Sequence, residues 1–145
     1  DLKPNLKDEF AKEVTLDEIK EKADIISLHT SLTKEASGII NTQFINECKK
    51  PFWIINTARG KCIKTKDLVR GINENKVLGA ALDVLELEKN SFEQLSQTTK
   101  SNSNLSALVN SKKIVLTPHV AGWTHESKIN MVKVVLKKII KLFNK

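Results

Sequence analysis

The sequence predicts an α/β fold built on a parallel sheet. Two observations carry this. Short apolar, β-branched runs alternate with stretches whose apolar residues recur at helical spacing. The clearest run, Val77-Leu78-Gly79-Ala80-Ala81-Leu82-Asp83-Val84, is apolar on both of its faces. A parallel strand covered on both sides must read this way.

Each element follows in chain order. Residues 1–12 are polar, with Pro4 and Asn5 as turn residues. Thr15-Leu16-Asp17-Glu18 is a capping box, so a short helix should run to about Lys22. Ala23 to His29 reads as a buried strand and 30–37 as loop. Asn41 should cap a helix over Thr42–Lys49, which Pro51 ends. Phe52 to Asn56 is the central strand. Lys66 to Asn75 is a helix with Leu68, Val69 and Ile72 on one face, and Val77 to Val84 is the next strand. Residues 89–113 hold six serines and no glycine or proline, which predicts a loose polar insert with at most short helical turns. Ile114 to Thr117 is the last strand. Thr124 should cap a long final helix, 124–143, with Ile129, Val132, Val135, Leu136, Ile139, Ile140 and Phe143 in one wide stripe. The crossovers between strands should be right-handed.

With 145 residues, 40% of them hydrophobic and 28% charged, the chain is expected to be one domain, 1–145, with a real core. No apolar run approaches the ~18 residues of a membrane span. No signal pattern opens the sequence, so no membrane role is expected. Cys48 and Cys62 lack metal spacing, which makes a reduced, cytoplasmic protein the default and a metal site unexpected. The net charge of +7 is mostly lysine spread along the chain. There is no tyrosine and no aromatic residue interleaved with the basic ones, so nucleic acid is not an expected partner. Attraction of a small anionic substrate is the more economical use of the charge.

Of 24 basic residues only Arg59 and Arg70 are arginines. Arg59 stands just past a strand, in Ile54-Ile55-Asn56-Thr57-Ala58-Arg59-Gly60, where only a guanidinium can grip a carboxylate with two parallel bonds. The plain alternative is a surface arginine. His29, Arg59, the Asp83–Glu88 stretch and His119 all fall at strand ends. In an open α/β sheet those ends share one edge, where ligands bind. Arg, Glu and His meeting there can bind a carboxylate, orient an imidazole and move a proton. On the residues alone, His119 could simply end a strand, and Glu88 could be solvated, with Glu86 an equal candidate. Cys62 lacks a partner base and reads as a small packing residue. Trp53 and Trp123 read as core or interface aromatics, and His125 as exposed.

Four strings, ADIISLHTSLT, WIINTARGKCI, LGAALDVLELE and IVLTPHVAGWT, resemble in that order the NAD-dependent D-2-hydroxyacid dehydrogenases, which include D-3-phosphoglycerate and D-lactate dehydrogenases. The resemblance covers nearly the whole chain outside 89–113. It implies a Rossmann-like sheet with flanking helices, NAD as cofactor, and hydride transfer between NAD and a 2-hydroxy or 2-keto acid, with a phosphoglycerate-type enzyme favoured. It places the family's catalytic arginine, acid and histidine on Arg59, Glu88 and His119. The aspartate that holds the nicotinamide carboxamide falls on Asp83. Thr30, Ser31, Thr57 and Ala58 would line the nicotinamide half of the site. His29, Arg59, His119, Ala121 and Gly122 would also face the cofactor. Asp1 resembles the acid that binds the adenosine ribose. A homodimer is implied for the full-length enzyme.

The chain departs from the family pattern in places. Lys89 stands where the family has proline after the catalytic acid, and Ser31 stands where H-x-P-L-T has its proline. The insert lengthens the spacing from Glu88 to His119. The five glycines form no G-x-G-x-x-G, and nothing corresponds to a substrate domain. The resemblance therefore implies the C-terminal part of a NAD-binding domain, inactive by itself. A non-catalytic nucleotide-binding or regulatory module of the same fold is the alternative, which the presence of Arg59, Glu88 and His119 together disfavours.

Overall fold

The computed structural model describes residues 7–86 and 102–143. Asp1 and Glu88 lie outside the described residues. Four parallel strands form one sheet in the order β1-β2-β3-β4: β1 (Ile25–Leu28), β2 (Phe52–Asn56), β3 (Val77–Leu82) and β4 (Ile114–Leu116). Register is set by pairs such as Leu28 with Asn56, Asn56 with Leu82, and Leu82 with Leu116. The strand ends therefore line up along one edge, as the sequence predicts.

The helices of the core are α1 (Leu16–Lys22), α2 (Thr42–Glu47), α3 (Thr65–Asn73) and α4 (Ser103–Val109). Their starts follow from short polar side chains. The Thr15 hydroxyl accepts the Glu18 N–H, and the Asn41 side chain accepts the Phe44 N–H at 3.0 Å. α3 has no side-chain cap of its own. The Glu86 carboxylate, from beyond β3, accepts the Thr65 N–H at 2.7 Å instead. The first strand is shorter than expected because Ala23 still bonds back to Ile19 as the cap of α1.

Ile26, Leu28, Phe52, Ile54, Val77, Ala80 and Leu82 point from the sheet into a core closed by Phe44, Ile45, Leu68 and Ile72. Of the 89–113 stretch, 89–101 lies outside the described residues, and the described part holds a short helix rather than loose chain. Asn102 caps α4 by accepting the Asn104 and Leu105 N–H groups, each at 3.1 Å. Leu105 and Leu108, one turn apart, are then 2% and 1% exposed. Burying each leucine is worth about 1.5–3 kcal/mol. That outweighs the few tenths of a kcal/mol per residue that Ser and Asn cost in a helix, so tertiary packing overrides a polar composition.

The opposite sheet face differs from the expectation of a strand covered on both sides. Ile25 and Trp53 are register partners on that face and are 60% and 49% exposed, and Val115 is 62% exposed. The Trp53 indole lies across Gly79, where a β-carbon would stand 2.4 Å from the ring. The reason is topological. When strand order follows chain order, connections of one hand all pass over the same face. A doubly wound sheet covers its second face with crossovers running the other way from a switch point, and none of those lies in the described residues. The last helix, α5 (His125–Phe143), begins after Thr124, whose hydroxyl accepts the Ser127 N–H at 3.0 Å. None of its residues is buried, so its apolar stripe is bare. Trp123 is likewise exposed, which makes neither tryptophan a core residue in this chain.

Candidate functional site

The β2 edge is built around Asn56, the last strand residue and fully buried. Its side-chain oxygen accepts the Ala58 N–H at 3.1 Å and its side-chain nitrogen donates to the Arg59 carbonyl at 3.1 Å. The Cys62 N–H reaches the same Arg59 carbonyl at 3.0 Å, closing a single 3-10 turn over Gly60–Cys62. Arg59 is held extended and exposed at the mouth of this turn, its Nη1 donating to the Ala58 carbonyl at 2.7 Å. Ala58 itself is buried in the core, so its side chain does not line the sheet edge as expected. Burial pushes the Cys62 thiol up, away from nucleophilic chemistry, and Cys62 packs in the core as the sequence predicts.

Asp83 follows β3 and is 3% exposed. Its Oδ1 accepts the Thr117 hydroxyl and the Val120 N–H, and its Oδ2 accepts the Ala121 N–H at 2.9 Å. Burial by itself would raise the carboxyl. The bonds from Thr117, Ala121 and Val120, with the nearby His119, outweigh it and hold the group below the usual aspartate range. Asp83 therefore ties the loop after β4 to the end of β3. The Thr117 role escaped the sequence reading, although Thr117 sits in the T-P-H string that singled out His119.

His119 is exposed and adopts a φ of 55°. This left-handed turn is uncommon for a residue with a β-carbon, and the Asp83 bonds to Val120 and Ala121 hold the backbone just beyond it. Gly122 follows in open space. Glu86, the alternative acid, is committed elsewhere. Burial alone would raise it, but the Thr65 N–H and Lys64 draw it below the usual glutamate range, with Lys64 Nζ 3.2 Å away. That makes Glu86 a structural partner of α3.

A groove of about 260 Å³ opens at the carboxyl ends of β2, β3 and β4. Ile55, Ala81 and Val115, aligned across the three strands, form its floor, and Thr57, Asp83, Thr117, Val120 and Ala121 complete it. The structure thus brings together Thr57, Asp83 and Ala121 among the expected cofactor residues. His29, Thr30 and Ser31 stand at the end of β1, outside the groove; the His29 ring nitrogen lies 2.8 Å from the Ser27 hydroxyl, and Thr30 donates to the Ser31 carbonyl.

A groove outside the carboxyl ends of parallel strands is where α/β domains of the nucleotide-binding class hold their ligands. Residues 2–121 match the family described as D-isomer specific 2-hydroxyacid dehydrogenase, NAD binding domain. The chain belongs to this family and forms part of its NAD-binding domain, with NAD as the cofactor. It is 35% identical over 133 residues to an aromatic 2-oxoacid reductase of Clostridium sporogenes, covering 90% of this chain and 40% of that protein. It is 34% identical over 142 residues to the D-3-phosphoglycerate dehydrogenase of Bacillus subtilis, covering 94% of this chain and 25% of the other. The crystal structure of a D-lactate dehydrogenase from Treponema pallidum superposes with a TM-score of 0.76 at 30% identity, over 99% of this chain and 45% of that one. The chain therefore spans less than half the length of these relatives. Among the described residues no helix is long and apolar enough to cross a membrane.

Proposed function

We propose that this chain carries the catalytic edge of an oxidoreductase that interconverts a small 2-hydroxy acid and its 2-keto acid. The observation that carries the reading is the Arg59 turn, which leaves an exposed arginine two residues past Thr57, a residue that lines the groove. Arg59 binds the substrate carboxylate with its fork and stabilises negative charge at the carbonyl as it develops. His119 takes the hydroxyl proton in oxidation and returns it in reduction, as a positioned imidazole can in either direction. Glu88 accepts from the other ring nitrogen and fixes the tautomer.

NAD, when bound, supplies the hydride acceptor and donor. The groove fits its nicotinamide end in kind: Ile55, Ala81 and Val115 offer an apolar floor for a flat ring, and Thr57, Thr117 and Asp83 offer hydrogen-bonding groups for a carboxamide. Ala121, Gly122, Thr30, Ser31 and His29 extend that surface, the Ala58 backbone supports the Arg59 turn, and Asp1 would meet the ribose. A phosphoglycerate-type acid is the favoured substrate, since the net charge of +7 suits a multiply charged anion. A dimeric, cytoplasmic enzyme belongs to the same proposal.

The test is Arg59→Lys in the intact protein, assayed by NADH oxidation with pyruvate, glyoxylate and phosphohydroxypyruvate. Lysine keeps the charge and loses the fork, so kcat/KM should fall about 100-fold. Unchanged kinetics would make Arg59 a structural residue. No turnover by the NAD-binding wild type would favour the non-catalytic module.

A further inference from the structure

We infer that Asn56 is the positioning residue for Arg59, setting the backbone of the turn from which the guanidinium is presented. The inference rests on the reading of Arg59 as the carboxylate-binding group. Three observations support it. Asn56 is fully buried, and both ends of its carboxamide are used within the next three residues. The Arg59 carbonyl accepts from Asn56 Nδ2 and from the Cys62 N–H, filling both lone pairs and leaving the peptide plane after Arg59 one orientation. The Asn56 backbone carbonyl also accepts the Asp83 N–H at 2.9 Å. One residue thereby joins the arginine turn to the strand end that holds the loop of His119.

No other side chain supplies this pattern at this length. Aspartate keeps the acceptor for Ala58 but turns a second acceptor toward the Arg59 carbonyl. Alanine loses both bonds and strands the Ala58 N–H in a buried site. Glutamine is one methylene too long for a position with no exposed surface. The shape of the turn therefore depends on this side chain, and the guanidinium follows the turn.

The experiment is a double-mutant cycle in the intact protein, using Asn56→Asp and Arg59→Lys with NADH and pyruvate, glyoxylate or phosphohydroxypyruvate. Asn56→Asp should raise KM for the keto acid by about tenfold or more, since small misplacements of a positioned group are costly, while KM for NADH changes less than about twofold. In the Arg59→Lys background the same substitution should add little, because the group it positions is already gone. Full additivity would overturn the inference. Loss of activity in Asn56→Asp with Arg59→Lys harmless would instead sink the assignment of Arg59. Residue-resolved hydrogen exchange on Asn56→Ala gives a readout independent of activity. The Ala58 and Cys62 amides should lose protection, while the Asp83 amide, bonded to the Asn56 backbone, keeps it. Equal loss at all three would make Asn56 a general stability residue and overturn the positioning role.

Discussion

Gly60 lies against the backbone of Leu85: a β-carbon on Gly60 would stand 2.0 Å from the Leu85 carbonyl oxygen and 2.8 Å from the Glu86 nitrogen. The turn that presents Arg59 is thus packed on the chain segment that leads toward Glu88. Backbone cannot swing aside as a flexible side chain can. Gly60→Ala should therefore push the two segments apart and cost about 1–3 kcal/mol of stability. Gly122→Ala, in open space, should stay within about 0.5 kcal/mol of wild type. Chemical denaturation of the two variants provides the comparison. Equal stability would mean that the close approach is absent in solution.

Glu86 and Glu88 should separate by phenotype. Glu86 accepts the Thr65 N–H at the start of α3, a long-range cap. Glu86→Gln should lower stability by about 1 kcal/mol, the usual worth of a cap, and leave any keto-acid kinetics close to wild type. Glu88→Gln should do the reverse, cutting turnover with little change in the denaturation midpoint. Turnover lost in Glu86→Gln and kept in Glu88→Gln would exchange their roles.

Asp83 gives stability an acid limb. Its folded carboxyl holds its proton less tightly than an ordinary aspartate near 3.8. The stabilisation is therefore complete above that value and is lost as pH falls through the lower folded one. Glu86, lowered for its own reason, acts in the same direction. Unfolding midpoints should drop steeply below the aspartate range, and Asp83→Asn should flatten that drop. Asp83→Ala should cost about 3 kcal/mol at neutral pH, since it strands three donors. An acid profile identical in Asp83→Asn would mean that the loop is not held by the carboxylate.

The bare sheet face and the bare stripe of α5 bear on the behaviour of the 145-residue chain by itself. Exposed apolar patches of this kind favour association. Light scattering should show self-association, and calorimetry should show weak NAD binding at best, because no glycine-rich turn holds the pyrophosphate. Trp53→Lys and Val115→Lys, both on the exposed face, should reduce the association. A monodisperse chain that binds NAD tightly would overturn both expectations.

Much of the site was legible because its cues are local. The caps at Thr15, Asn41 and Thr124, the β-branched runs and the polar residues ending each strand act within a few positions of chain, and periodicity reads them directly. The four strings around Arg59, Asp83 and His119 carried the family. Local cues misled where packing intervened. Residues 103–109 looked too polar for a buried helix, until Leu105 and Leu108 found the core.

By itself, then, the sequence determined the parallel sheet, the edge that carries the polar groups and the family. Tertiary structure alone decided what those groups are bonded to. Thr117 meets Asp83 across 34 residues and Thr65 meets Glu86 across 21. Such partners depend on how strand ends are brought side by side, which no local pattern encodes. It also decided which sheet face is covered. Apolar strands announce that they need cover on both sides, but the side each helix takes follows from strand order and crossover hand. Those are properties of the assembled sheet, and here they leave Ile25, Trp53 and Val115 exposed.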